Sequence, residues 1–223
     1  MTAKKKTAAH TEAHAKAVIL KASLAHVPFD GFTDSVLKRA AKEKGLSTAV
    51  LAHHFPEGPA SLVEAFSQAA DAEMEASLAK QNLAAMKVRE RIKAAVWARI
   101  EALKPHKEAA RRAAAFLTLP PHVALGATLL YSTVDSMWRA VGDTSTDFNF
   151  YTKRVILAGV YSSTLLRWFS DDSADDKATH DFLDSRIENV MQFEKFKAEL
   201  RKRADALPSL AEILGGMGAR KTR

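Results

Sequence analysis

Apolar residues recur at three- and four-residue steps along most of the chain, the spacing of one face of a helix. Ala17, Leu20 and Leu24 lie on the stripe of a helix predicted over about residues 10–25, which stops before the proline of "HVPFDGF". Thr33 is placed to cap a second helix, in which Val36, Leu37, Ala40 and Ala41 lead to a stop at Gly45. Ser47 or Thr48 caps a short third, "TAVLAHHF", which Pro56 ends. Pro59 suits a helix start and opens a long segment through Leu62, Phe66, Ala70, Met74 and Leu78. From about Met86 to Leu103, Ile92, Val96 and Ile100 again step by four, until Lys104, Pro105 and His106 break the pattern. "KEAARRAAAFLTL" runs up to Pro120 and Pro121, and Val123 to Val141 follows with Leu130, Val134, Trp138 and Val141 on one face. Tyr151 to Phe169 is apolar nearly all round, which predicts a helix buried on most sides. A long amphipathic helix is predicted from Ala174 to Arg203, its acids interleaved with Phe182, Ile187, Val190, Met191, Phe193 and Phe196.

Composition agrees with an all-α protein. At 223 residues with 47% hydrophobic side chains, the chain buries a core of one domain or slightly more, and Gly (9) and Pro (7) are scarce. The absence of cysteine excludes disulfides, thiolate catalysis and Cys-ligated metal. The net charge of +7 sits at the ends: residues 1–21 carry +4, residues 22–194 carry −2 and residues 195–223 carry +5. Such a distribution argues against a nucleic-acid-binding body and for tails that meet anionic lipid or solvent. No apolar run approaches the roughly 20 residues of a membrane-spanning helix. The start, "MTAKKKTAAHTEAHAKA", lacks the apolar core of a secretory signal and reads as a basic arm. The expected division is a disordered arm (1–8), a helix-turn-helix region (9–58), a helical lipid-binding and dimerisation domain (59–203), and a C-terminal amphipathic segment with a basic tail (204–223).

The stretch "TDSVLKRAAKEKGLSTAVLAHHFPEGPASLVEAF" resembles the N-terminal part of TetR-type regulators, whose third helix enters the major groove. Here that helix offers Thr48, Ala49, Val50, Leu51, Ala52, His53 and His54, with no Lys, Arg, Asn or Gln to reach base edges. Glu57, Gly58 and Pro59 stand where a basic side chain would meet phosphate. The expectation is therefore a scaffold without nucleic acid as partner. A ligand-responsive transcriptional repressor is the alternative, and an enzyme of unrecognised chemistry a third class.

Candidate chemistry is sparse. His10 and His14 with Glu12 between them are not a zincin motif, and His53 and His54 are expected on different faces. Asp171, Asp172, Asp175 and Asp176 crowd a helix start, where negative charge is favoured by the dipole without any metal. No nucleophile elbow or Gly-rich phosphate loop occurs, so no catalytic residue, metal or cofactor is assigned. The segment "GDTSTDFNFYTKR" (142–154) reads as a helix end at Gly142 followed by a new start that Thr146 or Asp147 can cap. Phe148, Phe150 and Tyr151 cannot all face one way on a helix, so one of them is expected near the surface. Between Val123 and Phe169, Gly126, Ala127, Gly159, Ser132, Thr133, Ser162, Ser163 and Thr164 either let two helices approach closely or leave a cavity. In the second case Leu130, Tyr131, Val134, Trp138, Val160 and Leu165 are candidates to line it.

The blocks "HVPFDGF", "HHFPEG", "RIEALKPHKEAARRA", "STVDSMWRAVGDTSTDFNFYTKR", "STLL" and "FLDSRIENVMQFEK" resemble the ubiquinone (coenzyme Q) biosynthesis accessory proteins, a lipid-binding family on a TetR-like fold. The resemblance covers about residues 17–200 and suggests a bacterial member. It implies a non-enzymatic homodimer, dimeric through its last two long helices, in the cytoplasm and peripheral to the inner membrane. Such a protein holds an isoprenoid quinone intermediate or a phospholipid and presents it to the di-iron hydroxylase of the pathway. Asp135, Met137, Phe150 and Tyr151 match the family's partner-facing surface; Phe150 replaces a family Trp, which keeps an apolar anchor and removes an indole donor. The family's membrane helix corresponds loosely to residues 207–217. There Leu207, Leu210, Ile213, Leu214 and Met217 share a side and Arg220, Lys221 and Arg223 follow, a composition suited to an anionic interface.

Overall fold

The computed structural model describes residues 14–144 and 148–205, without the side chains of residues 148, 149, 194–198 and 200–205. Every regular element among these residues is helical. The chain opens with α1 (residues 14–24), whose Ile19, Leu20 and Leu24 enter the core. The sequence places a loop at the following proline; instead Pro28 lies in the first turn of a four-residue helix, α2 (Val27–Asp30), where its missing N–H is no loss. Thr33 Oγ1 accepts from Val36 N at 3.4 Å and starts α3 (Asp34–Glu43). That helix ends in a Schellman motif: Gly45 N donates to Lys42 O, Leu46 N donates to Ala41 O, and Gly45 takes φ +65°. Ser47 Oγ then caps α4 (Thr48–His54). Gly58 (φ +53°) permits the tight entry into the next helix, since a Cβ there would lie 2.8 Å from Asp34 Oδ1.

The body is built on α5 (Pro59–Leu78) and α6 (Val88–Leu103), which pack along each other. The four-residue stripe Leu62, Phe66, Ala70, Met74 and Leu78 is buried as its spacing predicts. A short 3-10 turn, Lys104–His106, leads into α7 (Lys107–Leu117), and a second, Pro120–His122, into α8 (Val123–Ala140). α8 lies on α5 and is followed by α9 (Phe148–Phe169) and α10 (Lys177–Asp205), which pair. One cluster of buried residues continues from Ile19 to Leu183, so the helix-turn-helix and the body share a core. No single described helix is long and apolar enough to cross a membrane.

Two features differ from the sequence reading. α9 is buried or half-buried over most of its surface, as its apolarity predicts, but keeps one open face: Tyr151 (63% exposed), Val155 (72%) and Leu166 (65%) form an apolar stripe on its outer side. Periodicity measures apolarity and not the number of neighbours, and α7, α8 and α10 together leave this one face of α9 uncovered. α10 begins three residues later than Ala174, because Asp175 and Asp176 adopt positive φ (54° and 52°) in the preceding turn. That backbone is costly for residues other than Gly. Asp176 is held there by Lys104 Nζ at 2.8 Å.

Candidate functional site

Helices α5 to α9 line a partly open cavity of about 310 Å³. Its walls are mostly apolar, with Phe66, Leu103, Leu129, Leu130, Leu165 and Phe169 among the lining residues. Gly126 accounts for part of the shape. Its α-carbon lies so close to α7 that an added Cβ would stand 3.2 Å from both Leu117 Cβ and Leu117 O. Small residues on α8 thus do one of the two things the sequence allows at this point, close approach, while space remains nearer the middle of the helix.

One part of the wall is polar. Arg99, only 3% exposed, donates through Nε to Asp71 Oδ1 (2.7 Å) and through Nη2 to Ser67 O (3.2 Å) and Ser67 Oγ (3.1 Å). Thr133 Oγ1 donates to the other carboxylate oxygen of Asp71 at 3.1 Å. Burial pushes the Asp71 carboxyl above its ordinary range, against the opposing pull of Arg99. Arg99, Ser67 and Thr133 line the cavity together with buried Tyr161, whose hydroxyl burial holds in the protonated form. Arg99 Nη1 is buried without a hydrogen-bond partner.

The six predicted lining residues divide. Leu130 and Leu165 line this cavity. Trp138 and Val160 line a separate hollow of about 640 Å³ between α6, α9 and α10, beside Ile92 and Ile187. Val134 is buried in core packing and Tyr131 is 46% exposed; neither lines either space. A face shared at four-residue spacing turns gradually around the helix, so Leu130 and Trp138 meet different neighbours.

The described ends of the segment 142–154 are tied together by ion pairs. Gly142 takes φ +86° at the end of α8. Arg154, 2% exposed, donates to Asp135 Oδ1 (2.6 Å), Asp143 Oδ2 (3.3 Å) and Phe150 O (3.0 Å), and its guanidinium stacks 3.3 Å from the Phe150 ring centroid. Lys153 Nζ donates to Asp143 Oδ1 at 2.8 Å, and Trp138 Nε1 to Lys153 O at 3.2 Å. Asp135 also pairs with Arg139 at 2.7 Å. Of the four predicted partner-facing residues, Tyr151 is exposed, Phe150 is partly buried under Arg154, and Asp135 is committed to two arginines. Met137 is corrected: it is 0% exposed, on the face of α8 that enters the core, and presents nothing to a partner. Thr146 and Asp147, the predicted caps, and the 207–217 membrane segment lie outside the described residues, as do His10 and the arm before it.

Sequence reasoning missed Arg99, Asp71, Asp143 and Arg154. A signal existed for Arg99, which falls between Val96 and Leu103 on the buried face of α6, where a charge has to find a partner.

The acidic cluster before α10 is a cap. Asp171, buried, accepts from Ser173 N and Oγ on one oxygen and from Thr179 N and Oγ1 on the other. These bonds, those from Ser173 first, hold its carboxyl well below the usual carboxylate range. A depressed pKa stabilises the fold above the unfolded value, near pH 4, and that contribution is lost as pH falls below it. Asp171→Ala is therefore expected to remove about 2 kcal/mol at neutral pH. The difference from wild type should shrink in urea denaturation below about pH 4; a difference that stays constant to pH 3 would contradict the assignment. Among the described residues, no group of acids and histidines is arranged to hold a metal ion. His53 and His54, expected on different faces, meet edge to face with ring centroids 5.0 Å apart.

This architecture, a helix-turn-helix fused to a helical body with an internal apolar cavity, defines an all-α TetR-like protein. A crystal structure of a TetR transcriptional regulator from Nitrosomonas europaea superposes with a TM-score of 0.61, covering 78% of this chain and 95% of that one; at 17% identity the likeness shows the fold alone. The COQ9 family model matches residues 123–194, which run from α8 into α10. The chain is 35% identical over 211 residues to rat ubiquinone biosynthesis protein COQ9, mitochondrial, and 32% identical over 210 residues to the human protein of that name. COQ9-B of Xenopus laevis is 31% identical over 211 residues. Each alignment covers 92% of this chain, and respectively 66%, 64% and 70% of the relative. The chain thus spans slightly less than two thirds of the rat and human proteins. It belongs to the COQ9 family.

Proposed function

We propose that the chain is a non-enzymatic lipid-binding protein of ubiquinone biosynthesis, which takes an isoprenoid quinone intermediate at a membrane surface and presents it to the di-iron hydroxylase of the pathway. The observation that supports this reading most is the apolar cavity between α5 and α9. Its volume corresponds to about ten water-sized units of roughly 30 Å³. A ring or the first isoprene units fit there, and a longer tail continues outward past the exposed lining residues Thr118 and Leu166. Removing hydrocarbon from water contributes about 0.8 kcal/mol per CH₂, which lets a protein cavity compete with a bilayer for the same guest. The segment 207–217 with its basic flank supplies membrane attachment, and the last two long helices, α9 and α10, supply the surface for a second copy of the chain away from Tyr151 and Leu166. A phospholipid is the competing guest for the same apolar space.

The test is a transfer assay. Protein incubated with vesicles containing a demethoxyquinone and phospholipid, then separated from them, is expected to carry isoprenoid at close to one per chain. Protein that emerges empty, or that never associates with the vesicles, contradicts the reading.

Docking to the hydroxylase falls to Tyr151, the exposed member of the predicted set. Tyr151→Asp is expected to leave the melting temperature within a degree or two and to weaken hydroxylase binding about tenfold or more, as for a central aromatic anchor. Loss of folding would mean that the ring is structural, and unchanged affinity that another surface docks.

A further inference from the structure

We propose that the hollow between α6, α9 and α10 is a second binding site, which takes an amphiphile with an anionic head on an alkyl chain, the chemistry shared by a fatty acid and an acidic phospholipid. The hollow has no lining residue in common with the cavity between α5 and α9, and its guest does not depend on what that cavity holds.

The interior of the hollow is hydrocarbon. Ile92, Leu157 and Val160 line it from the buried core, and Ile156, Ile187 and Val190 are only half-buried around it. Val88 (58% exposed) and Met191 (36%) also line it. Six helical side chains from three elements therefore leave apolar surface facing about 640 Å³ of open space, the kind of patch that marks a contact site.

Charge selects the occupant. Every charged residue that lines the hollow is a cation: Lys87, Arg89 and Lys153. Lys153 is engaged by Asp143 at 2.8 Å and stands 5.3 Å from the Trp138 ring centroid. Lys87 and Arg89 are exposed and pair with no carboxylate among the described residues. The neighbouring Glu90 carboxylate accepts from the backbone N–H of Lys87 at 2.9 Å and does not line the hollow. This concentration of positive charge stands on a body, residues 22–194, whose net charge is −2. Uncommitted cations beside hydrocarbon suit a guest with a negative head and an apolar chain. Other occupants fit worse. The ends of the chain, residues 1–21 (+4) and 195–223 (+5), carry the same sign as the rim. A second copy laid over the hollow about a two-fold axis brings Lys87 and Arg89 against their own equivalents.

Decanoate, decyl phosphate, decanol and inorganic phosphate, titrated into the full chain by calorimetry, separate the contributions of head and tail. Wild type is expected to bind either decyl anion at about one per chain and at least tenfold more tightly than decanol or inorganic phosphate, with the preference shrinking as salt is raised. The tighter of the two anions tells a fatty acid from a phosphate-headed lipid, and either supports the site. Lys87→Gln with Arg89→Gln, two exposed positions where substitution is near neutral for folding, is expected to lower affinity for the anions about tenfold and leave decanol unchanged. Val190→Trp, which fills the hollow, is expected to weaken all three alkyl probes, whereas Leu130→Trp, which fills the other cavity, is expected to weaken none. Equal binding of anion and alcohol to wild type, an unchanged preference in the double variant, or loss of binding in Leu130→Trp alone overturns the proposal. Absence of binding by every alkyl probe also overturns it, and a changed mass for Val190→Trp in light scattering would then assign the hollow to a second copy of the chain.

Discussion

Arg154→Ala is expected to destabilise the fold by about 3–5 kcal/mol. The guanidinium is buried and answers two carboxylates, Asp135 and Asp143, from the end of α8 and the segment that follows it. Truncation leaves those acids in a site built around a cation and removes the stacking on Phe150 and the bond to its carbonyl. For a protein of this size the loss corresponds to a fall in melting temperature of roughly 10 °C. Arg154→Lys is expected to recover only part of it, since an ammonium cannot bridge two acids in the planar geometry of the fork. Thermal denaturation by circular dichroism reads both variants; a fall of under 2 °C for alanine would mean that the acids are solvated and the network contributes little. Phe150, on which Arg154 stacks, meets the Tyr151 ring edge to face at 5.2 Å, so Arg154→Ala should also impair any docking that uses Tyr151.

Leu130→Trp carries the second large effect. Leu130 lines the cavity from α8 without being fully buried, so a larger ring at that position projects into existing space and not into packed core. Filling an internal void is neutral or stabilising, by up to about 1 kcal/mol. Guest binding, in contrast, is expected to fall at least tenfold in the transfer assay. The combination is diagnostic: a variant at least as stable as wild type that no longer carries isoprenoid locates the guest in this cavity. Undiminished loading would move the guest elsewhere, with the hollow lined by Trp138 and Val160 as the next place to test.

The sequence and the structure agree where a side chain's role is local. Thr33 and Ser47 cap because a hydroxyl before a helical stripe has few other uses, Pro59 starts α5 because its missing N–H is free there, and the Leu62 to Leu78 stripe is buried because spacing fixes its face. The family blocks made the fold class legible as well. What sequence could not supply was the pairing of charges across elements. Arg99 meets Asp71 over 28 residues and Arg154 meets Asp135 over 19, and no local pattern specifies such partners. For the same reason Met137 and Tyr151 looked equivalent as docking residues, although one turns into the core and the other into solvent. Cavity lining was legible only in part, since Leu130 and Val134 share a sequence face but only Leu130 borders empty space.

Native mass spectrometry of the purified protein, wild type beside Leu130→Trp, tests the central claim most directly, because it weighs whatever the cavity holds. The account predicts a wild-type species heavier than the polypeptide by one isoprenoid per chain, released on activation and identified by extraction, and a bare mass for the variant. Bare masses for both proteins after exposure to isoprenoid-containing membranes, or the same adduct on both, would contradict it.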